Sequence, residues 1–441
     1  MSLTPPESVR RLQAALHIKA KGTPSYRFYA LYDKVYRRDV LEYAYLRCRL
    51  NDGAPGADDQ TFVDIESQGR KQWLDGLAKE LREGTYRPGP IRRVFIPKPD
   101  GKQRPLGIGT LRDRVVQMAV VIVLEAIFEA DLPPEQYAYR PGRSAHDAVR
   151  RVHELVNTGY RQIVDADLSG YFDSIPHPEL LKSVARRVSD GRLLAVIKAW
   201  LEAPVEEATR TGGVSRTTRN RDERQGTPQG SPLSPLLANL YFRRFILGWK
   251  QRGYAERYRA HIVNYADDFV ICCRGSAEQA LEATRALMPR LKLTVNEQKT
   301  RTCRLPEESF DFLGYTIGLC YRPSNGAAYL GTKPAAKRVA RIKEAISELT
   351  GSRRVLVSVE DEVDRLNRLL RGWSSYFRLG AVTAAYRAID YHTRDRLRRW
   401  LCRKHRTGNR GKLQFSDQYL YEELKLVKLC ERTKRLPWAK K

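Results

Sequence analysis

The 441-residue sequence predicts an α+β fold of several packed units, and three observations carry that expectation. The chain is too long for one ordinary core. Both ends carry apolar residues at helical spacing, while the middle carries short β-rich runs that end in or enclose acidic residues.

Composition narrows the partners. Apolar residues make up 42% and charged residues 29%, as in a folded globular protein. Lys and Arg number 79 against 51 Asp and Glu, a formal charge of +28, so a strong positive field points to polyphosphate. The cations are interleaved with Trp, Tyr and Phe, which favours nucleic acid over an anionic membrane or a merely solubilising surface. No run reaches the length of a membrane span, and the start MSLTPPESVRRLQAAL lacks a signal peptide's apolar core; no membrane partner and a cytosolic setting are expected. The seven cysteines form no CxxC pair and no zinc-type cluster, which fits a reducing compartment, with Cys272 and Cys273 read as apolar strand residues.

The elements follow in order. Residues 1–60 form an N-terminal helical extension, with Val9, Leu12 and Leu16 at helical spacing and a turn-rich LNDGAPGADD. In 61–160, a helix over Trp73 to Leu81 precedes two short strands around Pro99-Asp100-Gly101, and helical patterns follow over 111–130 and His146 to Val156. Residues 161–330 contain the strand of QIVDADLSGYFDSI and a polar, Arg-rich stretch from Thr209 to Gln225 that reads as a mobile loop. They also contain GTPQGSPLSPLLANLYF, where Ser234 reads as a helix cap, and the two β-arms of HIVNYADDFVICC. Three helices are expected in 331–405: one with Val339, Ile342 and Ile346 inward, one starting at Ser358 with Trp373 and Phe377 in its apolar face and Gly380 as its stop, and one from about Ala384 to His405. Residues 406–441 read as a basic tail for RNA or DNA.

Asp167 and the pair Asp267-Asp268 carry the chemistry. Each sits at the end of, or between, apolar β-runs, where a carboxylate is held rigidly. Two Mg²⁺ ions roughly 4 Å apart, bridged by such carboxylates, activate a hydroxyl and stabilise a leaving phosphate. Taken singly, each acidic element is equally well a hairpin turn or a strand cap; their combination favours the metal site.

Tyr265-Ala266-Asp267-Asp268 resembles the YxDD hairpin of reverse transcriptases, DADLSGYFDSI their first palm motif, and Thr227-Pro228-Gln229-Gly230-Ser231-Pro232 their second. The set, running in family order from Asn51 to His405, is similar to group II intron-encoded reverse transcriptase/maturases. The resemblance implies a right-hand polymerase: fingers (61–160), a palm with an antiparallel sheet (161–330), and a helical thumb/maturase domain (331–405). It implies that Asp167, Asp267 and Asp268 ligate two Mg²⁺ ions, with Mn²⁺ as a substitute. It makes Phe172 the steric gate against a 2′-hydroxyl, Lys98 and Arg104 the triphosphate grip, and Gln229 and Gly230 the loop against the nascent base pair. Lys299 becomes the acid that protonates departing pyrophosphate, and Phe312-Leu313-Gly314 the primer grip. In the maturase helices, Arg365, Arg368, Arg371 and Arg398 become RNA contacts.

The implied partners are the group II intron RNA, an RNA template with a DNA primer, dNTPs, a DNA target and a second copy of the chain, in a nucleoid-associated ribonucleoprotein of a bacterial cytosol. The implied activity is RNA-directed DNA synthesis with assistance to splicing and retrohoming. The alternatives are a splicing cofactor with little polymerase activity and a host-domesticated enzyme of defence or repair. Gly109 stands where the family usually has proline, Asn264 where arginine is common, and the Arg-rich stretch is longer than usual. These departures leave the three aspartates intact.

Overall fold

The computed structural model describes residues 3–97, 101, 103–209, 213–322, 324–407 and 414–433. Eleven strands among them form three sheets.

The central sheet explains the long apolar runs. β3 (Gln162–Asp167), β6 (Ala260–Tyr265), β7 (Asp268–Cys273) and β8 (Arg301–Arg304) lie in the order β6-β7-β3-β8, every pair antiparallel. Alternate side chains enter different cores: Val164, Ile262, Phe269 and Ile271 join one, and Ile163, Val263, Val270 and Cys272 join the other. A sheet buried on both faces needs continuous apolar strands, which is why DFVICC lacks polar alternation. Cys272 and Cys273 are fully buried, as their sequence context predicts.

The second sheet joins distant segments. β1 (Ile91–Pro97) and β2 (Gln103–Ile108) form the expected hairpin, and β1 also pairs in parallel with β4 (Val205–Ala208), which pairs with β5 (Val214–Thr217). The expectation of a loop from Thr209 to Gln225 is therefore corrected, since a strand and the one-turn helix Arg219–Asp222 occupy much of it. Its Arg-rich composition hid the strand: the hairpin lies at a solvated edge, anchored by the small apolar cluster of Val205, Ile91 and Ala203. Residues 98–100 and 102 lie outside the described residues, and Lys98 with them.

The third sheet, β11-β10-β9, comprises β9 (Phe310–Phe312), β10 (Tyr315–Tyr321) and β11 (Ala328–Pro334). A division at 330/331 cuts β11, so sheet gives way to helix only after Pro334. Gly380, read as a helix stop, lies beyond the helix end at Tyr376; its φ is +71°, and a Cβ there would collide with the Thr332 carbonyl. Close approach to β11 is its reason for being glycine.

Helices wrap these sheets. Leu111–Phe128 is apolar almost all round and largely buried, and the N-terminal helix Glu7–Gly22 lies against it through Val9 and Leu16, with Gln13 donating to the Ile122 carbonyl at 3.0 Å. Ser234 falls inside its helix, Ser234–Gln251, rather than capping it; Leu233 holds the cap position. Ala336–Leu349, Val359–Tyr376 and Thr383–Lys404 build a third core, and Ser358 caps the second by accepting from Asp361 N at 3.0 Å.

The described part of 406–441 belongs to that core. Phe415, Leu420, Leu426 and Leu429 are buried in it, Asn367 bonds both Lys425 and Val427, and the Asp390 carboxylate accepts from Leu429 N and Cys430 N. A free basic tail from 406 does not describe residues 414–433: their leucines sit among charges, which obscured the inward face.

Candidate active site

Register brings the aspartates together. Asp167, the last residue of β3, pairs directly with Asp268, the first of β7, and Asp267 occupies the turn between β6 and β7. The turn demands a left-handed residue, Ala266 at φ +59°. Buried Asn264 pins it, donating from Nδ2 to the Ala266 carbonyl at 2.8 Å.

Asp167 is held from the segment before β8. Asn296 donates from its backbone N to the Asp167 carbonyl at 2.9 Å and from Nδ2 to Oδ2 at 3.0 Å, Thr300 Oγ1 accepts from Asp167 N at 3.3 Å, and Lys299 Nζ reaches Oδ2 at 3.0 Å. Of these three, Lys299 alone carries an expectation from the sequence. Asn296 and Thr300 were legible only as its neighbours at one-turn spacing in VNEQKT, where Lys299 N and Thr300 N both donate to the Asn296 carbonyl.

Crowding of like charges sets the electrostatics. Asp268 opens to the cleft, yet desolvation by the surrounding protein, followed by the charges of Asp267, Asp167 and Asp165, pushes its pKa up to about 7. Desolvation and then Asp167 raise Asp267, against the opposing charges of Arg104 and Lys299. Asp165 is raised to about 6, chiefly by desolvation. The hydrogen bond to Asp167 raises Lys299, which stays protonated.

Among the described residues no three or more ligand side chains close to metal-ligating spacing. Lys299 supplies the positive charge at Asp167. The donor set fits divalent cations: hard oxygen ligands at and beside strand ends, of which Asp267 and Asp268 are raised, a shift that a cation reverses.

The surrounding elements build a cavity beside these residues. The helical turn after β3 carries half-buried Phe172, whose ring meets Tyr171 edge-on at 5.7 Å. Thr227 N donates to the Phe172 carbonyl at 2.7 Å, Gln229 Nε2 donates to Asp173 Oδ2 at 3.2 Å, and Gly107 N donates to the Gln229 carbonyl at 2.6 Å. Gly230 sits at φ +117°, and a Cβ there would lie 2.6 Å from the Gly107 carbonyl, so glycine is required where this loop meets β2. Arg104, exposed on β2 opposite Ile96, reaches Asp267 electrostatically. A cavity of about 600 Å³ lies between the sheets, lined by Arg93 and Gly107, by Ser169, Gly170 and Asp173, and by Gln229; the three aspartates stand beside it rather than in its wall. Phe312 is buried core, while Leu313 and Gly314 form the left-handed turn into β10.

The arginines separate into two groups. Arg365, Arg368 and Arg371 are exposed on one side of the helix Val359–Tyr376. Arg398 is instead committed internally, with Nε donating to the Phe415 carbonyl at 2.8 Å and Nη2 pairing with Asp417 at 2.5 Å, which corrects its expected place on an RNA surface.

Comparison with known proteins agrees with this arrangement. Residues 96–317 match the family described as reverse transcriptase (RNA-dependent DNA polymerase), and residues 339–416 match the group II intron maturase-specific domain. Protein YkfC of Escherichia coli (strain K12) is 33% identical over 347 residues, covering 70% of this chain and 88% of that one. The group II intron-encoded protein LtrA of Lactococcus lactis subsp. cremoris is 28% identical over 399 residues, covering 76% of this chain and 62% of LtrA. No helix among the described residues is long and apolar enough to cross a membrane. With the antiparallel sheet that pairs Asp167 and Asp268 inside the first matched region and the helical core largely inside the second, the chain belongs to the group II intron-encoded reverse transcriptases, RNA-directed DNA polymerases that carry a maturase domain.

Proposed function

We propose that Asp167, Asp267 and Asp268 carry two-metal nucleotidyl transfer, and that the chain copies the RNA of a group II intron, assists its splicing and supports its retrohoming into DNA. The observation that carries this reading is the register pairing of Asp167 with Asp268 beside Asp267, which crowds three carboxylates at one end of the sheet. Mg²⁺, or Mn²⁺ in its place, would be held by the three carboxylates and supply Lewis acidity toward the primer hydroxyl and the leaving pyrophosphate.

The protein's own groups orient the substrates. Arg104, with Lys98 of the same hairpin, grips the dNTP triphosphate. Phe172 lies under the sugar and leaves no room for a 2′-hydroxyl, and Gln229 with Gly230 lines the nascent pair. Lys299 gives its proton to pyrophosphate, a role supported by its charge and its 3.0 Å approach to Asp167. Arg365, Arg368 and Arg371 contact intron RNA. The partners are the intron RNA, an RNA template with a DNA primer, and a DNA target, acted on by one chain or by a homodimer.

Primer extension on an RNA template tests the centre. Asp267→Ala should lose on the order of a thousandfold in rate while intron splicing survives. Extension at the wild-type rate would exclude the carboxylate mechanism; joint loss of splicing in a folded protein would mean that the maturase function also needs this site.

A further inference from the structure

Tyr139 stands out from the residues used so far. Its φ is +55°, a left-handed conformation that bulky side chains rarely adopt, and 48% of its surface is open. The backbone around it is held on several sides. Arg140, buried beside it, bonds the Glu129 carboxylate and donates to the carbonyls of Pro133 at 2.8 Å and Gln136 at 2.9 Å. Asn239 Nδ2 donates to the Ala138 carbonyl at 2.7 Å. The same segment is bolted to β6: Asn264 N donates to the Glu135 carbonyl at 2.9 Å, and Tyr137 N to the Asn264 carbonyl at 3.0 Å. A strained residue persists where its surroundings over-determine it, and such residues cluster at functional sites.

The shelf ends beside the catalytic turn. After desolvation, the charges that act on the Tyr139 phenol are those of Asp267, Tyr265, Arg104 and Asp268. Phosphate is disfavoured among these carboxylates, and the proposed site already assigns phosphate to cations and sugar to Phe172. The base pair is lined by Gln229 and Gly230 on one side alone, and an open aromatic ring fits a further flat face of a nucleobase. We propose that Tyr139 is a nucleobase platform, its ring packing against the base pair at the catalytic end of the primer–template. This rests on the reading of Asp167, Asp267 and Asp268 as the catalytic centre.

Glycine adopts φ +55° without strain, so Tyr139→Gly removes the ring without breaking the shelf, and Tyr139→Phe keeps the ring without its hydroxyl. Single-nucleotide addition to a DNA primer on an RNA template, with Mg²⁺, is measured beside the melting temperature. Tyr139→Gly should lower kcat/KM for the dNTP about tenfold with a melting temperature no lower than wild type, and Tyr139→Phe should remain near wild type. Wild-type kcat/KM in the glycine variant, or equal losses in both variants, would overturn the platform. An active Asp267→Ala protein in the same assay would overturn the reading of the centre instead, whereas failure confined to the Tyr139 variants touches the platform alone.

Discussion

The central sheet and the C-terminal helical core treat charge in opposite ways. At the strand ends of the sheet, desolvation and the neighbouring carboxylates, Asp167 among them, raise Asp165, Asp267 and Asp268, and Lys299 and Arg301 offset this only in part. In the helical core, buried or half-buried charges are matched: Glu362 with Arg354, Arg398 with Asp417, and Lys404 with the carbonyls of Val355 and Val357. Matched charge there serves folding, and the surplus arginines face solvent. Unmatched carboxylates at the sheet edge destabilise the chain alone, and such a cost persists where a ligand of opposite sign uses it.

Three experiments press on that contrast. The largest effect is expected in the helical core: replacing Arg365, Arg368 and Arg371 together by Ala should weaken intron RNA binding on the order of a hundredfold and reduce the salt slope by about two to three, while primer extension is retained. Arg398→Ala should instead lower the melting temperature, because its bonds are internal. Filter binding across a salt series and a thermal melt separate them; an RNA defect in Arg398→Ala alone would reverse the division.

A smaller effect is expected at the turn. Asn264→Ala removes the donor to Ala266, a loss of about 1–3 kcal/mol at a buried carbonyl, and should lower kcat about tenfold with KM for dNTP unchanged. A pure KM effect would show that the turn needs no pin.

The smallest is thermodynamic. Folded Asp268 keeps its proton up to about 7, whereas the unfolded chain releases it near the ordinary value of about 4. The folded state therefore binds more protons between these values, and stability falls as pH rises through that window. Asp268→Asn removes this term, so its melting temperature should exceed that of the parent by more at pH 8 than at pH 5. Mg²⁺ added at pH 8 should narrow the gap, and a constant difference across the range would contradict the crowding.

The aspartates were legible because β-runs on either side fix a turn, and the helices because Ile342, Leu366 and Leu397 keep their period. β5 was not, since a hairpin rich in arginine at a sheet edge shows little apolar alternation. Neither was the fate of residues 414–433: Leu420 and Leu429 mean nothing until Asn367 and Asp390, far back in sequence, claim their backbone. Tyr139 was invisible, and Asn296 marked only as a neighbour of Lys299, for a related reason: both are placed by tertiary bonds rather than by a local pattern.

The strand that looked like a loop gives the molecule a mechanical linkage. β4 and β5 are fastened edgewise to β1, and the same stretch of chain runs on through Gly226, bonded to Ile175, and Thr227, bonded to Phe172, to Gln229. A displacement of that sheet would thus be carried along a short tether to Phe172 and Gln229. On the proposed reading, the residues assigned to the triphosphate and those assigned to the nucleotide share one strap of backbone.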